Sequence, residues 1–178
     1  MHFQEMLDTS IAHFDDRLDK TVATLLDDQN QTVAVAESIT GGLLAGRLTT
    51  LPGSSSRFIG GVVCYHPRLK VSLAGVSPST LREEGEVSSA VALEMAVGIQ
   101  RLTKSTIGLS TTGLAGPQTQ HYPESKLGTV FIGFAFPGSE KVKSFKFTGN
   151  RHDIRLQTVQ SAMEHLKHYL QSKKEAQQ

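Results

Sequence analysis

Ser55, Tyr65 and Lys70 have types that together can make a nucleophile and its base, and the lysine follows the serine by fifteen residues. A serine hydroxyl is a poor nucleophile until a base takes its proton. Serine–lysine pairs are one variant of that nucleophile–base logic. They need a lysine whose pKa is brought toward neutrality by burial or by nearby positive charge. No motif places an aspartate–histidine pair to do this work instead. The same three residues also read as a turn serine, a strand-end tyrosine and a surface lysine, and spacing alone leaves both readings open.

Other residues could hold an anion. Gly41-Gly42 opens a helix directly after a strand, and the free N–H groups of such a turn attract phosphate. No Gly-Lys-Ser/Thr follows, so the full phosphate-loop pattern is absent, and a tight strand-to-helix turn is the plain alternative. Thr112-Gly113-Leu114-Ala115-Gly116-Pro117 carries the same two readings. Arg151 and Arg155 stand one helical turn apart. An arginine can grip phosphate or carboxylate through two parallel hydrogen bonds, or simply lie on a solvated face. His165 and His168 give two ligands without a third, so they read as surface residues and no metal is expected. Cys64 reads as a small buried hydrophobe.

The elements that must position these groups follow from hydrophobic periodicity. Phe3, Leu7, Ile11, Phe14, Leu18, Val22 and Leu25 recur on one helical face. They predict an N-terminal helix over residues 1–29, ahead of a domain over 30–172 and a polar tail over 173–178. Thr32–Ala36 is a short apolar run of the kind that forms a buried strand. A helix follows from about Leu43 to Thr50, then a turn at Pro52–Ser56 and a strand at Phe58–Tyr65. Pro67–Gly75 and the segment opening at Ser77-Pro78 read as short helices. Ser88 caps a longer one with Val91, Met95, Ile99 and Leu102 inward. Thr106–Thr111 is a strand that Thr112-Gly113 breaks. Gly128–Phe136 and Val142–Phe147 form a hairpin across Pro137-Gly138. Asn150 caps the last helix, whose inner face is Ile154, Val159, Met163, Leu166 and Leu170.

Alternating strands and helices with a late hairpin predict an α/β fold: a three-layer α/β/α sandwich around a mixed sheet, in one domain. Ligands in such sheets collect where strands end. That singles out Glu37–Gly42, Pro52–Ser56 and Thr112–Pro117. The substrate-binding candidates are then Glu37, Thr40, Gly41, Gly42, Thr112, Gly113, Gly116, Arg151 and Arg155.

Composition bounds the class. The 178 residues carry a formal net charge of +1, which argues against a general nucleic-acid binder. A single cysteine allows no internal disulfide and suits a reducing compartment. No apolar run approaches the roughly 20 residues that span a bilayer. The expected location is the cytoplasm, with no membrane partner.

Several blocks together carry a resemblance. Ala36-Glu37-Ser38-Ile39-Thr40-Gly41-Gly42-Leu43 is similar to the opening motif of the CinA C-terminal domain family. So is Leu51-Pro52-Gly53-Ser54-Ser55-Ser56-Arg57-Phe58-Ile59-Gly60-Gly61-Val62-Val63-Cys64-Tyr65, followed by Lys70. Thr112–Pro117, Gly128-Thr129-Val130 and Gly149-Asn150-Arg151 to Arg155 complete five blocks, in order, over roughly residues 30–170. The resemblance implies an α/β/α sandwich and an amidohydrolase of pyridine-nucleotide salvage. Its reaction converts the carboxamide of nicotinamide mononucleotide into nicotinic acid mononucleotide and ammonia, with no metal or other cofactor. It implies Ser55, Tyr65 and Lys70 as the catalytic residues.

The chain departs from the family pattern in places. Gln118-Thr119-Gln120-His121-Tyr122 stands where the family has a Gly-Gly pair, and Ser125-Lys126-Leu127 where it has Lys-Pro-Val. Gly85-Glu86-Val87-Ser88 replaces Gly-Ala-Val-Ser, and Gly149-Asn150-Arg151 replaces Gly-Asp-Arg. The changed loop at 118–127 leaves a second reading, an inactive or re-specialised nucleotide-binding paralogue of the same fold. An interaction module acting through the N-terminal helix is a third. That helix, about 25 residues long, would leave Phe3 and Leu7 exposed in a monomer, so a homodimer or higher homo-oligomer is expected, the alternative being a bend at Thr9-Ser10 that folds the helix back over its own domain.

Overall fold

Alternation along one strand explains the two faces of this molecule. The computed structural model describes residues 16–117 and 126–176. Strand β1 (Val33–Glu37) is buried throughout. Val33 and Val35 join one apolar cluster, while Ala34 and Ala36 join another on the opposite side. A strand buried on both faces needs a layer of helices on each, and the chain supplies them.

The elements run α1 (Asp16–Asp28), β1, α2 (Leu43–Leu48), a 3₁₀ turn (Ser54–Ser56), β2 (Phe58–Val63), α3 (Pro67–Ser72), α4 (Pro78–Glu84), α5 (Ser89–Thr103), β3 (Ile107–Gly113), β4 (Thr129–Phe136), β5 (Ser139–Lys146) and α6 (Arg151–Glu175). The sheet order is β2-β1-β3-β4-β5. β1 pairs in parallel with both β2 and β3, whereas β3–β4 and β4–β5 are antiparallel. This is the expected single α/β domain with a mixed sheet between helical layers. Leaving β1, the chain crosses to β2 on one side and then returns to β3 on the other. The carboxyl ends of β1 and β3 therefore diverge at a topological switch point, where such sheets bind ligands.

One layer holds α1, α2 and α6, whose Leu18, Val22, Leu44, Ile154, Met163 and Leu166 share a core with Val35, Leu109 and Phe134. The other holds α5, through Val91, Met95 and Ile99. Helix α5 lies close on the sheet because Gly108 and Gly133 lack side chains there. A Cβ at either position would collide with the carbonyl oxygen of Ala96 or Ala92. Ser88 accepts the N–H of Val91 as the predicted cap, and Leu102, in the last turn, is exposed rather than inward. Asn150 and Asp153 form a reciprocal capping box at the start of α6. The end of α6 continues as helix to Glu175, and Lys174 pairs with Asp28 at 2.9 Å.

The predicted N-terminal stripe is half visible. Leu18, Val22 and Leu25 are buried on α1. Phe3, Leu7, Ile11 and Phe14 lie outside the described residues, as do Gln118–Ser125 of the changed loop. Among the described residues no helix is long and apolar enough to cross a membrane.

One buried ion pair ties three helices together. Arg47 of α2 donates from Nε to Asp19 of α1 at 2.7 Å and from Nη1 to Gln160 of α6 at 2.7 Å. The Arg47 side chain is fully buried and that of Asp19 nearly so. Removing one partner strands a buried charge, which costs about 3–5 kcal/mol. Asp19→Ala should therefore lower the unfolding free energy in urea by about that amount. A loss below about 1 kcal/mol would show that solvent reaches Arg47.

Candidate active site

A cleft of about 430 Å³ opens at the carboxyl ends of the three parallel strands. That volume suits a small-molecule ligand. Ser38 and Ile39 after β1, Tyr65 after β2, and Gly113 to Pro117 at the end of β3 line it. Lys70 of α3, Glu86, Val87, Leu127 and Arg151 close the remainder.

Strand alternation decides what points where. Glu37 ends β1 on the α2 side, so the next residue, Ser38, falls on the opposite side. The Ser38 N–H is held by the Thr111 carbonyl at 2.9 Å. In the same way Thr111 faces Thr40, with 2.7 Å between their hydroxyl oxygens. Thr112 faces the other way and meets Lys70.

Lys70 is 1% exposed. Its Nζ donates to the Glu86 carbonyl at 2.9 Å and to Thr112 Oγ1 at 3.1 Å. The Thr112 hydroxyl itself donates to that same carbonyl at 2.8 Å. Burial pulls the Lys70 pKa below that of an ordinary lysine, and the Glu86 carboxylate, 3.8 Å away, pushes back against that shift. Burial thus shifts Lys70 in the direction that a lysine base requires. Tyr65 is half exposed, and its hydroxyl accepts from Arg151 Nη2 at 2.8 Å. Arg151 Nη1 also donates to the Gly116 carbonyl at 2.6 Å, so one guanidinium braces the β2 and β3 walls together.

Ser55 is not brought to this site. It sits exposed in the 3₁₀ turn before β2, whereas Tyr65 follows the far end of that strand. Six extended residues separate the two ends by roughly 17 Å at about 3.3 Å per residue. The turn is also anchored at the other end of the sheet. Arg57 donates to Asp27 at 2.8 Å and to the Pro52 carbonyl at 3.1 Å. Among the described residues, the serine that shares the cleft with Tyr65 and Lys70 is Ser38, which no spacing to the lysine singles out.

Several anion-binding candidates are occupied from within. Glu37 is fully buried, and its carboxylate accepts the N–H groups of Gly42, Leu44 and Ala45 at 2.9, 3.1 and 2.8 Å. The donors that Gly41-Gly42 was expected to offer a phosphate are thus directed at the protein's own carboxylate, which also suits the positive end of α2. Arg155 donates from Nε to the Ile39 carbonyl at 3.2 Å and from Nη2 to the Thr40 carbonyl at 2.9 Å. It clamps the loop carrying Ser38 and does not line the cleft. Glu37, Thr40, Gly41, Gly42 and Arg155 thus form a frame behind the site. Gly113, Gly116 and Arg151 line the cleft, and Thr112 fixes Lys70 from behind it.

Cys64 is no competing nucleophile. Burial pushes its thiol up to about 11, and its Sγ–H is directed at the Glu37 carbonyl at 3.5 Å. Among the described residues, no group of three or more His, Cys, Asp or Glu side chains is placed to hold a metal ion.

Comparison with known proteins agrees with this architecture. The family model of the CinA C-terminal domain matches residues 15–170. A CinA-like protein of Frankia casuarinae is 48% identical over 132 residues, covering 74% of this chain and 30% of the relative. A CinA-like protein of Desulfotalea psychrophila is 43% identical over 138 residues, covering 78% of this chain and 33% of the relative. The chain thus spans about a third of the length of these curated relatives. Among solved structures, a competence-damaged protein (CinA) superfamily member from Klebsiella pneumoniae superposes with a TM-score of 0.83 at 30% identity, covering 88% of this chain and 97% of that one. A competence/damage inducible protein from Agrobacterium tumefaciens gives 0.78 at 31% identity, covering 88% and 97%. With the family model spanning most of its length, the chain belongs to the CinA C-terminal domain family.

Proposed function

We propose that this chain is an amidohydrolase that converts nicotinamide mononucleotide to nicotinic acid mononucleotide and ammonia. The observation that carries the reading is a buried lysine, with its pKa lowered by burial, sharing one cleft with a serine and a tyrosine. Ser38 is the nucleophile in this reading, in place of Ser55. Neutral Lys70 takes the Ser38 hydroxyl proton as Oγ bonds to the carboxamide carbon. Tyr65, oriented by Arg151, donates a hydrogen bond to the oxyanion that forms. When the C–N bond breaks, the proton on Lys70 leaves with the amine as ammonia. A water then attacks the Ser38 ester, again giving its proton to Lys70. Cleavage of the C–Oγ bond returns the proton to Ser38 and releases the carboxylic acid, which loses its own proton to solvent to give the carboxylate product.

The direct test supplies the purified chain with nicotinamide mononucleotide and measures ammonia. Binding of the nucleotide with no ammonia released would favour instead a nucleotide-binding paralogue without turnover.

Arg151 is the phosphate ligand in this reading, because it alone among the arginine candidates lines the cleft. A charge-assisted hydrogen bond of this kind contributes about 1.5–3 kcal/mol, or roughly tenfold to a hundredfold in affinity. Arg151→Ala should raise KM for the mononucleotide by that factor and erase its advantage over nicotinamide riboside, which lacks the phosphate. A preserved preference for the phosphorylated substrate would place the phosphate elsewhere.

A further inference from the structure

Two opposite charges line this cleft on different elements. Arg151, at the first position of α6, contributes a guanidinium beside Tyr65 and Gly116. Glu86, between α4 and α5, contributes a carboxylate on the wall that holds Lys70. The Glu86 side chain is 29% exposed, and its Oε2 stands 3.8 Å from Lys70 Nζ. A lysine that acts as a base is neutral when the substrate arrives. In that state Lys70 no longer offsets the charge of the Glu86 carboxylate.

A carboxamide substrate places its amide carbon between Ser38 and Lys70. In a nicotinamide nucleotide the ring nitrogen is meta to the carbon that bears the carboxamide. That nitrogen is quaternary and positively charged in the oxidised form, and it is uncharged in the reduced dihydropyridine. The ring of any bound nicotinamide therefore lies within a few ångströms of the wall that carries Glu86. Coulombic attraction over such a distance is felt in a partly dehydrated cleft far more than in open water. The phosphate belongs to the Arg151 end. The charge layout of the cleft, cationic at one wall and anionic at the other, complements a zwitterion and not a plain anion.

We propose that Glu86 is a specificity-determining residue that selects nicotinamide nucleotides with a cationic, oxidised ring over those with a neutral, reduced one. The proposal rests on the preceding subsection's reading of this cleft as the place where the nicotinamide nucleotide binds. It assigns Glu86 a task separate from its backbone carbonyl, which holds Lys70 whatever the side chain.

The test uses the whole chain and two probes, oxidised and reduced nicotinamide mononucleotide, which carry the same phosphate and differ in ring charge. Dissociation constants are measured by calorimetry for the wild type, Glu86→Gln and Glu86→Asp, and ammonia release is followed in parallel. The wild type should bind the oxidised form more tightly. Glu86→Gln should weaken the oxidised form by about tenfold, or 1.4 kcal/mol, and alter the reduced form by less than about twofold. Glu86→Asp, which keeps the charge, should keep the preference. An equal change for both forms in Glu86→Gln, or no change for the oxidised one, overturns the proposal. If the oxidised form binds with this preference and is never hydrolysed, the hydrolase reading fails and the ring-charge selection stands. If neither form binds, both fail together.

Discussion

Replacing Lys70 with methionine is expected to lower ammonia release from nicotinamide mononucleotide by roughly 10²- to 10⁴-fold, the usual cost of removing a positioned acid–base group. The fold should survive the change. Lys70 is buried, so its stem already contributes packing that a methionine of similar length retains. The Glu86 carbonyl, one of its two acceptors, keeps a second donor in the Thr112 hydroxyl at 2.8 Å. The Thr112 hydroxyl, the other acceptor, loses the lysine donor but keeps its own bond to that carbonyl, so each group retains one partner. Lys70→Arg separates base from charge. A guanidinium stays protonated throughout the working range. If Lys70 acts as a base, the arginine variant should be as inactive as the methionine one. Activity retained in Lys70→Arg would show that a fixed positive charge is enough.

The pH profile gives an independent view of the same group. In the proposed mechanism only neutral Lys70 accepts the serine proton, so kcat/KM of the wild type should rise as pH rises through its pKa. Burial lowers that pKa, so the rise should come at lower pH than an ordinary lysine would give. The Glu86 carboxylate opposes burial, so Glu86→Gln should move the rise to lower pH still.

Much of the fold is legible in the sequence, because it rests on local signals. The predicted caps at Ser88 and Asn150 both accept the backbone N–H groups that their positions call for, and Pro78 stands in the first turn of its helix as expected. Thr112-Gly113 is different. Glycine after a strand run reads as a breaker, yet β3 continues through Gly113, which pairs with Val130. A Cβ there would crowd the Thr129 carbonyl oxygen at 2.8 Å, so close approach of β4 is what the glycine permits. That requirement belongs to a strand fifteen or more residues away in sequence and has no local signature.

The site is less legible for a related reason. Whether an arginine meets a ligand or a carbonyl depends on what the neighbouring loop presents. Arg151 and Arg155 look equivalent along the chain, one turn apart on the same helix. Arg155 reaches the carbonyls of Ile39 and Thr40, because the loop after β1 passes beneath it. Arg151, one turn nearer the cleft, reaches Tyr65 and Gly116. Glu37 carried a usable hint: a carboxylate five residues before the first backbone donor of a helix can cap that helix. Reading it as a cap would have removed Gly41-Gly42 from the phosphate candidates.

The choice of serine is the sharpest divide between sequence and structure. Ser38→Ala is expected to abolish turnover by roughly 10³-fold or more, as losses of a nucleophile do. Ser55→Ala should leave the rate within about twofold, since exposed surface changes away from a site rarely matter. Ser55 stands in an exposed turn across the full length of β2 from Tyr65, and no adjustment of side chains closes that gap. Ser38 follows β1 at the switch point, buried, with its N–H fixed by Thr111 and its loop clamped by Arg155. Two further measurements separate chemistry from folding. The thermal midpoint of Ser38→Ala should stay close to that of the wild type, because no described hydrogen bond of the frame passes through its hydroxyl. Mass spectrometry of the quenched wild-type reaction should locate the acyl adduct on the peptide holding Ser38, and Ser38→Ala should show none. An adduct on the peptide holding Ser55, or full activity in Ser38→Ala, would overturn the assignment. Full activity in both variants would move the attack to a water molecule activated by Lys70.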